Sequence, residues 1–254
     1  MSASPTVTAL ELKGIVKLLG GARVLRGVDA RFEGGAVHVI EGANGSGKST
    51  LLNIIAGRLA PTHGKVVAQV GGVRYQSRGG LRDVVGWLGH ELGLYPDLSA
   101  EENVRLHAEL RGLDPDAAWA HDAGRLGIDR LRGRRVRELS RGQRQRVALL
   151  RLLVSQPGIL LLDEPSTGLD TASLEKLVHV LHEVRDAGRV LLVVTHDVVL
   201  VDQLRGVRWR LREGKIFREE AAAPPAGSGD ASAPSPGPSV PADGEPSPAA
   251  DGGA

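Results

Sequence analysis

Ten residues, "EGANGSGKST" from Glu41 to Thr50, constrain this 254-residue chain more than any other stretch. They follow the apolar run "AVHVI" and precede "LLNIIAGRLA", so a strand, a glycine-rich turn and a helix are predicted in that order. Gly42, Gly47, Lys48 and Ser49 satisfy G-x-x-x-x-G-K-[ST] in the strand-then-helix setting that this pattern requires. The glycines let backbone N–H groups converge on a phosphate, and the helix N-terminus adds its partial positive charge. Gly42, Ala43, Asn44, Gly45, Ser46, Gly47, Lys48, Ser49 and Thr50 are therefore the candidate nucleotide-binding residues. Lys48 is placed to reach the β- and γ-phosphates of ATP, and Ser49 to ligate Mg²⁺.

The rest of the chain fits an α/β fold. "PGILLLDEP" and "RVLLVVTHD" are apolar runs with little alternation, as expected of parallel strands covered on both faces. "KSTLLNIIAGRL" and "SLEKLVHVLHEVRDAG" have helical spacing; the second starts near the cap candidate Thr171 and stops at Gly188. Between about residues 91 and 155 the pattern changes to helices alone, in "SAEENVRLHAELRG", "DPDAAWAHDAGRLG" and "RGQRQRVALLRLLVSQ". That region reads as a helical insert between two halves of an α/β core. Residues 1–218 form the expected folded unit. The Pro-, Ala- and Gly-rich stretch at 219–254 has little to bury and reads as a disordered acidic tail.

Three further motifs carry chemistry. A buried strand ending in two acids needs a cation or polar partner there. Asp163 suits a carboxylate that holds Mg²⁺. Glu164, expected to point elsewhere, suits a group that orients the attacking water. "LSRGQ", Leu139 to Gln143, opens a helix that Ser140 can cap, leaving N–H groups to face a second anion. His196 ends a strand in "VVTHD", at the strand end where α/β sites form.

Bulk properties narrow the classes. Aromatics are only 3% of the chain, so the core must be Leu, Val, Ile and Ala. The absence of cysteine excludes disulfides and thiolate metal sites. The N-terminus shows no secretory-signal pattern, and no apolar stretch approaches the roughly 20 residues needed to span a bilayer. A membrane role is expected only through a partner. The net charge of +2 conceals six acids and no base from Glu219 onward, which leaves +8 on residues 1–218. The bases are scattered, so a solvated basic surface is expected and no nucleic acid.

Together "GANGSGKST", "LSRGQRQRVALLRLL", "LLLDEPSTGLD" and "VVTHD" resemble the ATP-binding subunit of ABC transporters, in order and spacing over about residues 8–218. The resemblance implies a P-loop NTPase fold: a RecA-like core, an antiparallel β subdomain and an α-helical subdomain. It also implies a head-to-tail dimer, as a homodimer or with a second ABC ATPase. Each ATP then sits between the phosphate loop of one subunit and the signature of the other. Ser140 and Gly142 would face the γ-phosphate held by the opposite Lys48. "STGLD" matches the D-loop, with Asp170 at the dimer seam. Glu164 matches the catalytic carboxylate and His196 the switch histidine.

Three positions depart from the family pattern. Leu19 stands where a Tyr commonly stacks on adenine, so the base would rely on aliphatic contact. Arg141 replaces a glycine in the signature. His90 stands at the Q-loop position, where Gln is usual, and is a candidate both for the metal site with Ser49 and Asp163 and for the attacking water. Mg²⁺ prefers oxygen ligands, but an imidazole can accept a hydrogen bond from water. A histidine there is expected to make coupling or hydrolysis depend on pH.

"LGHELGLYPDLSAEEN" further resembles the haem-exporter ATP-binding subunits of cytochrome c maturation, where Gly-His at this point is common. That implies integral membrane partner subunits and a place on the cytoplasmic face of the inner membrane. The alternatives are another exporter, for a drug, lipid or peptide, or a soluble ABC ATPase of iron–sulfur assembly. A paired-cassette translation factor would need a second phosphate loop. A DNA-repair type would need a coiled-coil insert longer than the helical region here.

Overall fold

A computed structural model describes residues 7–76 and 80–219. Most of the stretch read as an acidic tail lies outside the described residues. The elements run β1 (Val7–Leu19), β2 (Ala22–Glu33), β3 (Ala36–Glu41), α1 (Lys48–Ile55), β4 (His63–Val70), β5 (Val73–Gln76), α2 (Leu81–Val84) and β6 (Val85–Leu88). Then come α3 (Ala100–Leu110), α4 (Pro115–Asp122), α5 (Arg141–Val154), β7 (Ile159–Asp163) and α6 (Thr171–Asp186). The last are β8 (Val190–Val194), α7 (Val198–Leu204), β9 (Val207–Arg212) and β10 (Lys215–Arg218).

The strands form two sheets. One is antiparallel in the order β2-β1-β4-β5. The other has the order β10-β9-β3-β8-β7-β6, parallel except for the hairpin edge β9–β10. Both faces of the second sheet are buried, which explains the unbroken apolar runs in β7 and β8. Leu160, Leu162, Leu191 and Val193 pack into the cluster formed with α3, α5, α6 and α7. Ile159, Leu161, Leu192 and Val194 belong to the other cluster, with α1 and the antiparallel sheet. Helix α1 lies in that second cluster through Leu51, Leu52, Ile54 and Ile55, all shielded from solvent. The phosphate-loop helix is thus anchored to the core by its own apolar side.

Among the described residues between 91 and 155, the only strand-like pairing is a single bridge between Ser99 and Arg135. The insert is helical, as expected. Its helices are shorter than their apolar patterns: α4 stops at Asp122, and α3 stops before Gly112, whose φ of 67° breaks the helical run. The cap of α6 differs from the sequence reading. Asp170, not Thr171, is the N-cap: its backbone is extended and its carboxylate accepts the Ser173 N–H at 2.8 Å. Thr171 is already the first helical residue. A carboxylate is the stronger acceptor for the positive helix end. Glu219, read in the sequence as the first residue of the tail, is held by the folded unit instead: its N–H donates to the Arg208 carbonyl at 2.9 Å, and its carboxylate pairs with Arg210.

Candidate functional site

The phosphate loop leaves β3 at Glu41 and enters α1 at Lys48. Two glycines make the turn possible for different reasons. A Cβ on Gly42 would lie 2.4 Å from the Leu211 carbonyl oxygen and 2.9 Å from Ser46 Oγ, so the loop can pass under β9 only without a side chain. Gly47 has a φ of 103° and would place a Cβ 3.2 Å from Val24 Cγ1. Gly47 is also the N-cap of α1 and provides no side-chain cap, so the first N–H groups of the helix are open to the loop's concavity. Lys48 folds over the same loop: its ammonium donates to the Gly42 carbonyl at 2.5 Å and to the Ala43 carbonyl at 3.0 Å. The Ser46 N–H donates to the Ala43 carbonyl at 3.1 Å and closes the turn.

A cavity of about 510 Å³ opens over this loop. Asn44, Gly45, Gly47, Lys48, Ser49, Thr50, His90, Asp163, Glu164 and His196 line it, together with Val24 and Val194. The fold therefore gathers residues from four distant stretches at the C-terminal ends of β3, β6, β7 and β8. Ser49 Oγ donates to Asp163 Oδ2 at 3.5 Å. Burial pushes the Asp163 pKa up, and the Glu164 charge pushes it further; Ser49, Lys48 and His90 oppose both. A carboxylate whose charge is disfavoured by its surroundings is one that a bound cation would relieve.

Glu164 departs from the expectation that it points away from Asp163. Both line the cavity. Glu164 has a φ of 50°, so the chain leaves the strand's side-chain alternation at that residue. Its own N–H still donates to the Val194 carbonyl at 2.8 Å. The carboxylate is held by groups from the end of β8. Oε2 accepts the Thr195 hydroxyl at 2.9 Å and the His196 backbone N–H at 3.3 Å. The His196 imidazole stands 4.0 Å from Oε1, close in charge terms but outside hydrogen-bond range. Thr195 is 1% exposed and was not singled out in the sequence; a hydroxyl between an apolar strand and a cavity histidine was the available signal.

The remaining sequence candidates lie elsewhere. Leu19 ends β1, is 43% exposed and is not among the residues lining the cavity; Val24 forms that wall. Ser140, Gly142 and Asp170 also lie outside it. Ser140 caps α5 in a reciprocal box: its hydroxyl accepts the Gln143 N–H at 3.2 Å, and its N–H donates to Gln143 Oε1 at 2.9 Å. Gly142 is pressed against the D-loop, since a Cβ there would stand 2.2 Å from the Gly168 carbonyl oxygen. Buried Gln145 adds a hydrogen bond of 3.1 Å to the Pro165 carbonyl. The start of α5 is thereby tied to the loop that follows Glu164.

The ABC transporter family profile matches residues 25–167, from just after Val24 of the cavity wall to the start of the D-loop. The chain belongs to the ABC transporter family. It is an ABC-type ATPase subunit that binds ATP, and its P-loop NTPase fold is the one this family uses. Among ABC relatives, it is 37% identical over 189 residues to the cytochrome c biogenesis ATP-binding export protein CcmA 2 of Cupriavidus metallidurans, covering 74% of this chain and 89% of that protein. It is 34% identical over 231 residues to the lipoprotein-releasing system ATP-binding protein LolD of Nitratidesulfovibrio vulgaris, covering 85% of this chain and 98% of that one. Of solved structures, a dimeric ATP-binding cassette in a post-hydrolysis state, bound to ADP and Pi, superposes with a TM-score of 0.73 at 29% identity, covering 83% of this chain and 97% of that chain. No helix among the described residues is long and apolar enough to cross a membrane.

Proposed function

We propose that this chain is the ATPase of a haem-exporter-type complex in c-type cytochrome biogenesis, bound to integral membrane subunits at the cytoplasmic face of the inner membrane. The supporting observation is His90, directly after Gly89 and in the wall of the nucleotide cavity, within the stretch whose sequence resembles the haem-exporter subunits. The likeness to CcmA 2 across 89% of that protein agrees with it.

The residues divide the work. Lys48 and the open N–H groups of α1 hold the phosphates of ATP. Mg²⁺ fits the hard oxygen pair of Ser49 and Asp163, and the disfavoured Asp163 charge is what such an ion relieves. Bound there, it would neutralise developing charge on the phosphate oxygens. Glu164 orients the attacking water and accepts its proton, with Thr195 and the His196 N–H fixing the carboxylate. His90 stands across the cavity as a second water partner. Ser140 and Gly142, outside the cavity of their own chain, serve the γ-phosphate of a second copy in a head-to-tail dimer. Asp170 lies at that seam, and the segment from Glu91 to Leu106 faces the membrane subunit.

The LolD likeness supports a second reading, an exporter of lipid-modified or other cargo. Replacing Lys48 with Ala in the native chromosome separates the two. Haem staining of membranes should show loss of all c-type cytochromes with b-type haem intact. Normal c-type cytochromes would overturn the haem-exporter reading and favour the second.

A further inference from the structure

A buried histidine stands at the foot of the phosphate loop. His38 lies in β3, three residues before Glu41, and is 2% exposed. Both of its ring nitrogens are engaged. The Trp209 indole N–H donates to Nδ1 at 3.2 Å, and Nε2 lies 3.0 Å from the Glu33 carbonyl oxygen. An indole N–H only donates and a carbonyl only accepts, so Nδ1 is bare and Nε2 carries the proton. The ring is therefore neutral and held in one tautomer. Burial pulls its pKa below the usual imidazole value; the Glu33 carbonyl opposes this, Arg218 of β10 adds to it, and the Glu33 charge opposes it. Phe32 meets both rings edge-on, with centroids 5.2 Å from His38 and 4.9 Å from Trp209.

These contacts join three strands that shape the nucleotide cavity. Strand β2 supplies Phe32 and the Glu33 carbonyl at its end and, nearer its start, Val24 of the cavity wall. Strand β3 leads straight into Gly42. Strand β9 runs parallel to β3, with Trp209 opposite Ile40 and Arg210 opposite Glu41. Two residues after Trp209, on the same buried face, comes Leu211, whose carbonyl oxygen leaves Gly42 no room for a side chain. Where Trp209 sits therefore decides where that carbonyl stands against the loop. Trp209 and His38 are both shielded from water, so the loss of either leaves the other without a partner.

We propose that His38 is a positioning residue for ATP: its neutral ring, through Trp209, holds β9 against Gly42 and so keeps the phosphate loop in its binding shape. This rests on the reading that the loop holds the phosphates of ATP. A proton on Nδ1 turns an acceptor into a donor that faces the indole N–H. Affinity for ATP should therefore be full at neutral pH and fall as acid protonates the ring, below the usual imidazole range.

The test uses the full chain and a fluorescent ATP analogue with Mg²⁺, read by anisotropy at pH 7.5 and pH 5. Trp209→Phe and His38→Leu should each raise Kd about tenfold, as expected when a buried hydrogen bond is lost and its partner is left unsatisfied. His38→Asn puts an amide oxygen where Nδ1 stands. It should bind like the parent at pH 7.5 and, unlike the parent, lose little at pH 5. KM should follow Kd while kcat at saturating ATP holds. Unchanged Kd in Trp209→Phe and His38→Leu, with lower urea midpoints, would leave the cluster a purely structural role and overturn the proposal. So would the same pH dependence in the parent and His38→Asn. Lys48→Ala is the control. If it keeps the parent Kd, the phosphate-loop reading itself fails; loss there with none at His38 or Trp209 sinks the positioning role alone. The parent chain supplies a check that no variant's folding affects. ¹⁵N-histidine spectra should show His38 as the Nε2–H form at pH 7.5, and the ATP analogue should lower the pH at which it protonates, because the linkage is reciprocal. The opposite tautomer, or a titration that the analogue leaves in place, overturns the proposal.

Discussion

Helices α1 and α5 both begin beside glycines and carry no acid in the first turn, yet their ends are built in opposite ways. The α1 terminus is capped by Gly47, with no side chain to occupy its N–H groups, and Lys48 follows at once. The α5 terminus is closed by its own capping box between Ser140 and Gln143 and is braced by Gly142 and Gln145 against the D-loop. The first end is shaped to take an anion as its cap. The second is complete within its own chain and rigid on its own account. That contrast suits the proposed division of work, in which the loop holds a nucleotide and the signature serves one held by a second copy.

The strongest way to sharpen the contrast is at the α1 side. Glu164→Gln should lower the hydrolysis rate by about 10²- to 10⁴-fold while ATP still binds, because only the base is removed. Near-normal turnover in a coupled ATPase assay would strip Glu164 of that role. Next is Gly42→Ala, whose Cβ meets the Leu211 carbonyl at 2.4 Å. It should cost about 1–3 kcal/mol in urea denaturation and abolish binding of a fluorescent ATP analogue.

Capping then offers a paired experiment. Ser99 closes α3 with the same box that Ser140 builds for α5. Ser99→Ala and Ser140→Ala should each cost about 1 kcal/mol of stability, but only Ser140→Ala should also lower turnover. Equal turnover in the two would break the distinction drawn between the helix ends.

A last effect is one of pH and belongs to α3, which packs beside α5. His107 is held near 4 in the fold against 6.5 in a free chain. Between those values the unfolded chain binds a proton that the folded one refuses. Its stability is therefore intact above about 6.5 and falls as the pH drops toward 4. The slope is at most about 1.4 kcal/mol per pH unit, and less for a ring that solvent partly reaches. Denaturation midpoints at pH 7 and pH 5 should converge for His107→Gln relative to the parent chain.

Several parts of the site were legible in the linear chain because they depend on neighbours in sequence. The phosphate loop needs a strand, a tight turn and a helix in immediate succession, and Gly42 to Thr50 carry all three. Asp163 and Glu164 stand out because acids directly after four apolar residues are costly without a purpose. Thr195 and Val24 escaped because their roles come from across the fold. Thr195 matters through an oxygen 31 residues earlier, and Val24 through the bend that brings β2 beside Gly47. The α6 cap was misplaced by one residue because Asp and Thr both cap well, and only the backbone turn shows which is still extended.

The motifs in their order along the chain carried the resemblance to the ABC family, and local apolar patterns pointed to the helices of the insert, since such patterns reflect hydrogen bonding and burial within a short segment. Packing alone settled which groups meet. Strand β7 lies beside β8, so Glu164 receives the Thr195 hydroxyl and the His196 N–H. Strand β9 crosses under Gly42, so no side chain fits there. The end of α5 turns Arg151 inward beneath Leu92 and against α3, where no acid of the described chain follows it. Those outcomes depend on long-range register and on competition for buried volume, which no local pattern encodes.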